Sequence, residues 1–334
     1  MHPKALCSLS LALLSMFAHP TLAQEETSPV AVVDTMEKNF GVPIGQRRNH
    51  TKGVCVEGSF TATRDASKLS RSPIFSGKTI PVVGRFSIAG GRPNIPDTTR
   101  NPRGMALRFM LPDGSNHMMA MLHTPVFSVA TPAAFLESLQ AASPDPATGK
   151  PNPEKQNAFA ANHPETKNQG NFLKSNNPPA SYASTPYYSL HAFRFINAAN
   201  EGRYVRWHFD PQDGTHFIED AALAGMPTDF LESVLKERMS KGAVKWDMYV
   251  TLAEPGDTLI NPTIAWPKER KQVRMGTLAL TRSSPQTGGL CEQINFNPMV
   301  MTDGVEASDD PVLHFRSPAY AVSFGRRLSD QVSK

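Results

Sequence analysis

From Gly53 to about Phe127 the chain carries short runs rich in β-branched and aromatic residues, each broken by Gly, Pro, Asn or Asp. These runs predict strands at 54–63, 80–88, 104–111 and 118–127, with Pro112-Asp113-Gly114-Ser115 as the turn before the last. A second group follows at 189–197, 203–210, 244–252 and 273–281. Helical signals sit elsewhere. Thr131 as cap and Pro132 as first residue open a short helix with Phe135, Leu136 and Leu139 on one face. Residues 228–241 predict another helix, apolar at Phe230, Leu231, Val234, Leu235 and Met239. The stretch 142–188 is rich in Pro, Asn, Ser, Ala and Lys, and reads as loops and short helices over the surface. Two groups of four strands fit a closed barrel better than an open sheet with long exposed edges. The expected fold is therefore α+β, an eight-stranded antiparallel β-barrel with helical and loop insertions. A barrel of that size is filled by its own side chains, so a large ligand would lie against its wall or mouth.

The first residues read as an export signal, with Lys4, an apolar run from Ala5 to Phe17, and small residues at Thr21-Leu22-Ala23. Cleavage after Ala23 would leave residues 24–334 as a single domain in the periplasm. The apolar run is shorter than the roughly 20 residues a membrane span needs, so no membrane anchor is expected. Losing Lys4 lowers the formal charge from +4 to +3, and no basic run is dense enough to track phosphates. Nucleic acid is not an expected partner. Cys7 leaves with the signal, and Cys55 and Cys291 either bridge in an oxidising compartment or stay as two buried thiols.

Candidate chemistry lies at the two ends of the chain. Ser317 suits an N-cap and Pro318 a first helical position, so a helix is expected from Pro318 to about Leu328 with Tyr320 at its third position. There the positive end of the helix dipole and the neighbouring Arg316 would favour a phenolate, from a group that ordinarily titrates near pH ~10. A metal-ligating phenolate follows as the expectation. Phe324 and Arg327 fall on the same helical face. Near the start, His50 offers a proton shuttle, with Arg47 three residues before it.

The intervening motifs join these ends. Arg47-x-x-His50-x-Lys52-Gly53, Arg85-Phe86-Ser87, Arg100-Asn101-Pro102-Arg103-Gly104-Met105-Ala106, Thr124-Pro125-Val126-Phe127 and Arg316-x-x-x-Tyr320 resemble, in order and approximate spacing, the haem catalase family. Ser189-Leu190-His191-Ala192-Phe193, Arg203 to Phe209, Trp266-Pro267 and Gly304 to Pro311 agree with it, so the resemblance runs from about residue 40 to 328. The resemblance implies haem b against the barrel wall, His50 as the distal acid-base residue and Ser87 as the serine that orients it. It implies Arg47, Arg85 and Arg327 on the propionates and Phe127 and Phe135 among the haem-contacting aromatics. Tyr320 would be the axial iron ligand, with Arg316 behind it.

Three departures narrow the expectation. Where the family usually places an asparagine, two residues before Thr-Pro, this chain has Leu122, with His123 beside it. Adjacent strand residues face opposite ways, so a Leu122 that faces the haem sends His123 away from it. Phe324 replaces the histidine of the family's Tyr-x-x-x-His pattern, and the chain ends seven residues after Arg327, as in the short, exported catalase-related peroxidases. The resemblance then implies a haem peroxidase that reduces H2O2 or organic hydroperoxides with an organic reductant and has weak catalase activity. It would act as a monomer or homodimer. A haem-binding barrel without turnover is the alternative.

Overall fold

The computed structural model describes residues 26–332, and the expected export segment lies outside the described residues. In chain order the helices are α1 (Pro29–Phe40), α2 (Ala66–Leu69), α3 (Pro132–Ala141), α4 (Pro153–Asn162), α5 (Thr166–Ser175), α6 (Asp220–Leu223), α7 (Leu231–Ser240) and α8 (Pro311–Val332). The strands are β1 (Gly53–Ala62), β2 (Thr79–Ile88), β3 (Arg103–Met110), β4 (Asn116–Leu122), β5 (Tyr187–Tyr188), β6 (Phe193–Ile196), β7 (Gly202–Pro211), β8 (Val244–Leu252), β9 (Gln272–Pro285) and β10 (Val305–Ala307).

All strand pairings are antiparallel, and a β7–β8 pairing joins the ends of the main run. The ring β1-β2-β3-β4-β5-β7-β8-β9 closes a barrel of eight strands, with β6 and β10 continuing outward from β7. Closure removes the free edges that eight strands would otherwise expose. The barrel is packed solid. Phe60, Phe86, Phe109, Phe209 and Trp246 are fully buried, with Phe60 and Phe109 edge-to-face at 5.5 Å. No room for a large ligand remains inside, as expected for eight strands.

The strand expected over 118–127 ends at Leu122, and two larger features differ from the sequence-based expectation. The strand expected over 189–197 begins only at Phe193 and lies outside the ring, while the short β5, expected within loops, supplies the ring's missing strand. Leu190 adopts φ 66°, a left-handed conformation that ends the extended run between them. The helix expected to start at Pro318 instead starts at Pro311 and contains Pro318. Asp310 caps it by accepting from the Val312 and Leu313 amides at 2.9 and 3.4 Å. Asp310-Pro311 and Ser317-Pro318 carry the same cap-then-proline signal, and the upstream pair governs. The Ser317 hydroxyl is used elsewhere, accepting from Asn297 Nδ2 at 2.8 Å.

Between the two cysteine alternatives, the structure has the Cys55–Cys291 disulfide, which ties β1 to the loop after β9 across 236 residues of chain. Among the described residues, no helix is long and apolar enough to cross a membrane.

Candidate active site

The barrel's outer face is built in rows, because partners across antiparallel strands point the same way. Ser87 pairs with Gly104 and Gly104 with Leu122, while Arg85 pairs with Ala106 and Ala106 with Ala120. These side chains face outward, whereas Phe86, Met105, Leu107 and Met121 join the core. Most of this wall is small. It forms one side of a cavity of about 370 Å³, closed on other sides by α1, α3 and one face of α8. His50, Arg47, Arg85, Ser87, Phe127, Phe135, Arg316, Tyr320 and Arg327 all line it, so every residue that the resemblance singled out converges there.

His50 sits at φ 52°, a conformation in which a non-glycine residue needs support. Asn49 Oδ1 accepts from the His50 amide at 2.8 Å and from the Gly90 amide at 2.9 Å, and Arg85 Nη2 donates to the His50 carbonyl at 2.7 Å. The ring is fixed by Ser87, whose Oγ lies 2.9 Å from Nδ1. Gly104 makes that pair possible: a Cβ there would stand 2.8 Å from Ser87 Oγ and 3.1 Å from His50 Nδ1. Burial, then the charges of Arg85, Arg316 and Arg47, push the imidazole down to about 3, so His50 is neutral at ordinary pH.

On the facing helix, Arg316 donates to Tyr320 Oη from Nη2 at 2.8 Å and from Nε at 3.2 Å. Tyr320 is the tenth residue of α8, so the helix-terminus contribution expected from a start at Pro318 is absent. What the structure supplies at the phenol oxygen is the pair of guanidinium donors. Phe324 and Arg327 continue along the same face, with the Arg327 guanidinium 4.7 Å from the Phe324 ring centroid.

Three guanidiniums gather at the cavity with no carboxylate in ion-pairing range among the described residues. Arg47 donates to the carbonyls of Cys291 and Ile294 at 2.9 and 2.8 Å, on the loop that the disulfide pins. Arg85 is held by Gln286 Oε1 at 2.6 Å and by the Thr51 carbonyl at 3.1 Å. Arg327 is 2% exposed, and its Nε and Nη2 have no hydrogen-bond partner. Burial lowers all three from the usual arginine range, joined by Arg85 and Arg327 at Arg47, by Arg327 at Arg85 and by Arg48 at Arg327, while the more distant Glu292 opposes the shift at Arg47 and Arg327. Such a cluster calls for an anion.

The donor set suits a haem. Two propionates would supply the missing negative charge, Tyr320 an anionic oxygen ligand for iron, and the wall at Gly104, Ala106 and Ala120 room for a flat macrocycle. His123 is not part of this set. It is 2% exposed, and its Nδ1 accepts from the Arg103 amide at 3.0 Å, while Leu122 lines the cavity.

Several residues lining the cavity or supporting those that do were not assigned a role from sequence. Gln286 lies in a loop without local signal, and only the structure shows it holding Arg85. Val32, Val33 and Met36 come from α1, whose Ser28 cap, Pro29 and apolar spacing were legible. His191 lies on the cavity wall with Nδ1 2.7 Å from the buried Asp310 carboxylate. That contact ties the cap of α8 to the wall.

A family model described as Catalase matches residues 26–334. A catalase-related peroxidase from Synechococcus elongatus is 53% identical over 324 residues, covering 96% of either chain. A catalase-related peroxidase from Mycolicibacterium paratuberculosis is 36% identical, covering 89% of this chain and 93% of its own length. Among solved structures, catalase A from Saccharomyces cerevisiae superposes with a TM-score of 0.77 at 25% identity, over 96% of this chain and 68% of that one. Barrel, cavity and similarity thus define one class, a closed-barrel protein with its ligand site on the outer wall. The chain belongs to the catalase family.

Two expected outcomes follow from this geometry. Gly104→Ala forces Ser87 and His50 apart, lowering peroxide turnover by tenfold or more while haem content, read from the Soret band, stays within twofold of wild type. The second concerns pH. Burial pushes His117 and His123, like His50, down to about 3, so each stays neutral in the fold while the unfolded chain takes up a proton below about pH 6.5. Stability is therefore full above that pH and falls as pH drops from about 6.5 towards 3, by about 1.4 kcal/mol per pH unit for each histidine. Denaturation series between pH 7 and 4 should show this slope, and His117→Asn, away from the cavity, should flatten it by about one proton.

Proposed function

We propose that this protein is a haem b peroxidase that reduces hydrogen peroxide or an organic hydroperoxide with an organic electron donor, and has weak catalase activity. The observation that carries the reading is one cavity holding a neutral histidine fixed by a serine, a tyrosine fixed by an arginine, and three arginines with no carboxylate in ion-pairing range among the described residues. The relatives described as catalase-related peroxidases support it. Once bound, the haem supplies redox-active iron for cleavage of the peroxide O–O bond.

The chain's own residues do the rest. With Nδ1–H donating to Ser87 Oγ, His50 Nε2 is the basic atom. It takes the proton from the peroxide oxygen and returns it to the leaving oxygen, a positioned transfer worth roughly 10² to 10⁴ in rate. Arg316 holds the Tyr320 oxygen in place through two donors. Arg47, Arg85 and Arg327 bind and orient the carboxylates. Leu122 presents a hydrocarbon side chain where an amide would donate a hydrogen bond, so it gives a second peroxide no polar anchor. Oxidation of an organic donor is thereby favoured over dismutation. The disulfide supports export into an oxidising compartment, as the amino-terminal residues suggest.

Stopped-flow comparison of oxygen evolution and dye oxidation on the haem-loaded protein tests the reading. Dye oxidation should be the faster, His50→Ala should lower it by roughly 10² to 10⁴, and Leu122→Asn should raise oxygen evolution. A haem-loaded protein whose dye oxidation survives His50→Ala unchanged would overturn the mechanism, and one with no turnover at all would be a carrier.

A further inference from the structure

The outer-wall row that starts at Ser87 continues past the cavity. After Leu122 it runs through Tyr188, His208 and Tyr249, each paired with the one before across neighbouring strands. Residues in such a row share a face, so three aromatic rings follow the cavity-lining leucine directly. Neighbouring rings lie close, the first pair tilted and the second stacked. The Tyr188 and His208 centroids lie 5.8 Å apart at 30°, and those of His208 and Tyr249 lie 5.5 Å apart at 16°. At about 4.8 Å per strand, Tyr249 is about 14 Å from Leu122 along the sheet.

Exposure changes along the row. Tyr188 is half-buried, with its phenol pushed up to about 12 by burial, and His208 between the two tyrosines is 9% exposed. Tyr249 is half-buried, and beyond it the row reaches Arg274, which pairs with Asp247 at the surface. Packing alone would be met by aliphatic or phenyl side chains, as it is at Leu122 and in the barrel core. Here both ends of the stack are phenols, the side chains most readily oxidised by one electron after a thiol.

We propose that Tyr188, His208 and Tyr249 conduct electrons between the cavity and the surface, and that Tyr249 is a second oxidation site for phenols and aromatic amines too large to enter the cavity. This rests on the peroxidase reading, which supplies the oxidant from peroxide. Tyr249 gives one electron inward through the stack and one proton outward to solvent. A donor AH then restores the phenol by yielding one electron and one proton. Two such donors balance each peroxide: ROOH and two AH give ROH, H2O and two A radicals.

The test adds peroxide to the haem-loaded protein with a nitroso spin trap and no donor, and maps adducts by peptide mass spectrometry. An adduct is expected on Tyr249, lost in Tyr249→Phe and strongly reduced in His208→Leu, which interrupts the stack but keeps the terminal phenol. Tyr249→Phe should also slow oxidation of a bulky dye by tenfold or more while oxidation of a small phenol changes less than twofold. Absence of the Tyr249 adduct, or a bulky-dye rate unchanged in Tyr249→Phe, overturns the relay. If the small phenol is oxidised normally in that case, the peroxidase reading stands without the relay; if wild type oxidises neither donor, both fall together.

Discussion

Three arginines at one cavity, Arg85 and Arg327 buried and Arg47 half-buried, with no carboxylate in ion-pairing range among the described residues, are the constraint around which this molecule is arranged. Leaving one cation unpaired in a protein interior is costly, and this chain brings together Arg47, Arg85 and Arg327 from three distant segments. The supporting structure is extensive. The disulfide and the loop carrying Cys291 and Ile294 hold Arg47, Gln286 holds Arg85, and Phe324 lies under Arg327. Carbonyl and amide oxygens orient these guanidiniums without neutralising them, which leaves their charge for a ligand. A haem would meet that demand with its carboxylates and so complete the fold electrostatically as well as chemically.

The two faces of the cavity are held by different means. On the barrel side, β-sheet register does the positioning: Ser87, Gly104 and Leu122 occupy one row, so the serine, the gap that admits His50 and the leucine are set by strand pairing. On the helix side, spacing along α8 brings Arg316, Tyr320, Phe324 and Arg327 to one face. His191 and Asp310 then join the helix cap to the wall. His50 comes from the loop between α1 and β1 and is held between these two elements by Asn49, Arg85 and Ser87. At Leu122 the row that carries Ser87 presents hydrocarbon to the cavity.

Much of the site was legible in sequence because its residues stand in short motifs with local logic. The strands that carry Arg85, Ser87 and Gly104 follow from runs of β-branched and aromatic residues between turn residues, and α3 follows from Thr131 and Pro132. Misreadings arose where two local signals competed or where a long-range contact decided. Asp310-Pro311 and Ser317-Pro318 look alike in sequence, and only packing against His191 and Asn297 distinguishes the cap from an interior turn. The two-residue β5 is too short for any periodicity, yet the barrel closes through it. Gln286 and the disulfide partnership likewise depend on which loops meet in space.

Haemin titration of the purified protein, followed by absorbance in wild type and in Tyr320→Phe, bears most directly on the claim that this cavity is a haem site with Tyr320 on the iron. One haem per chain should bind to wild type, and Tyr320→Phe should alter the Soret and charge-transfer bands. Saturable binding with a spectrum identical in the two proteins would contradict the assigned ligand, and failure of wild type to bind haemin would contradict the account as a whole.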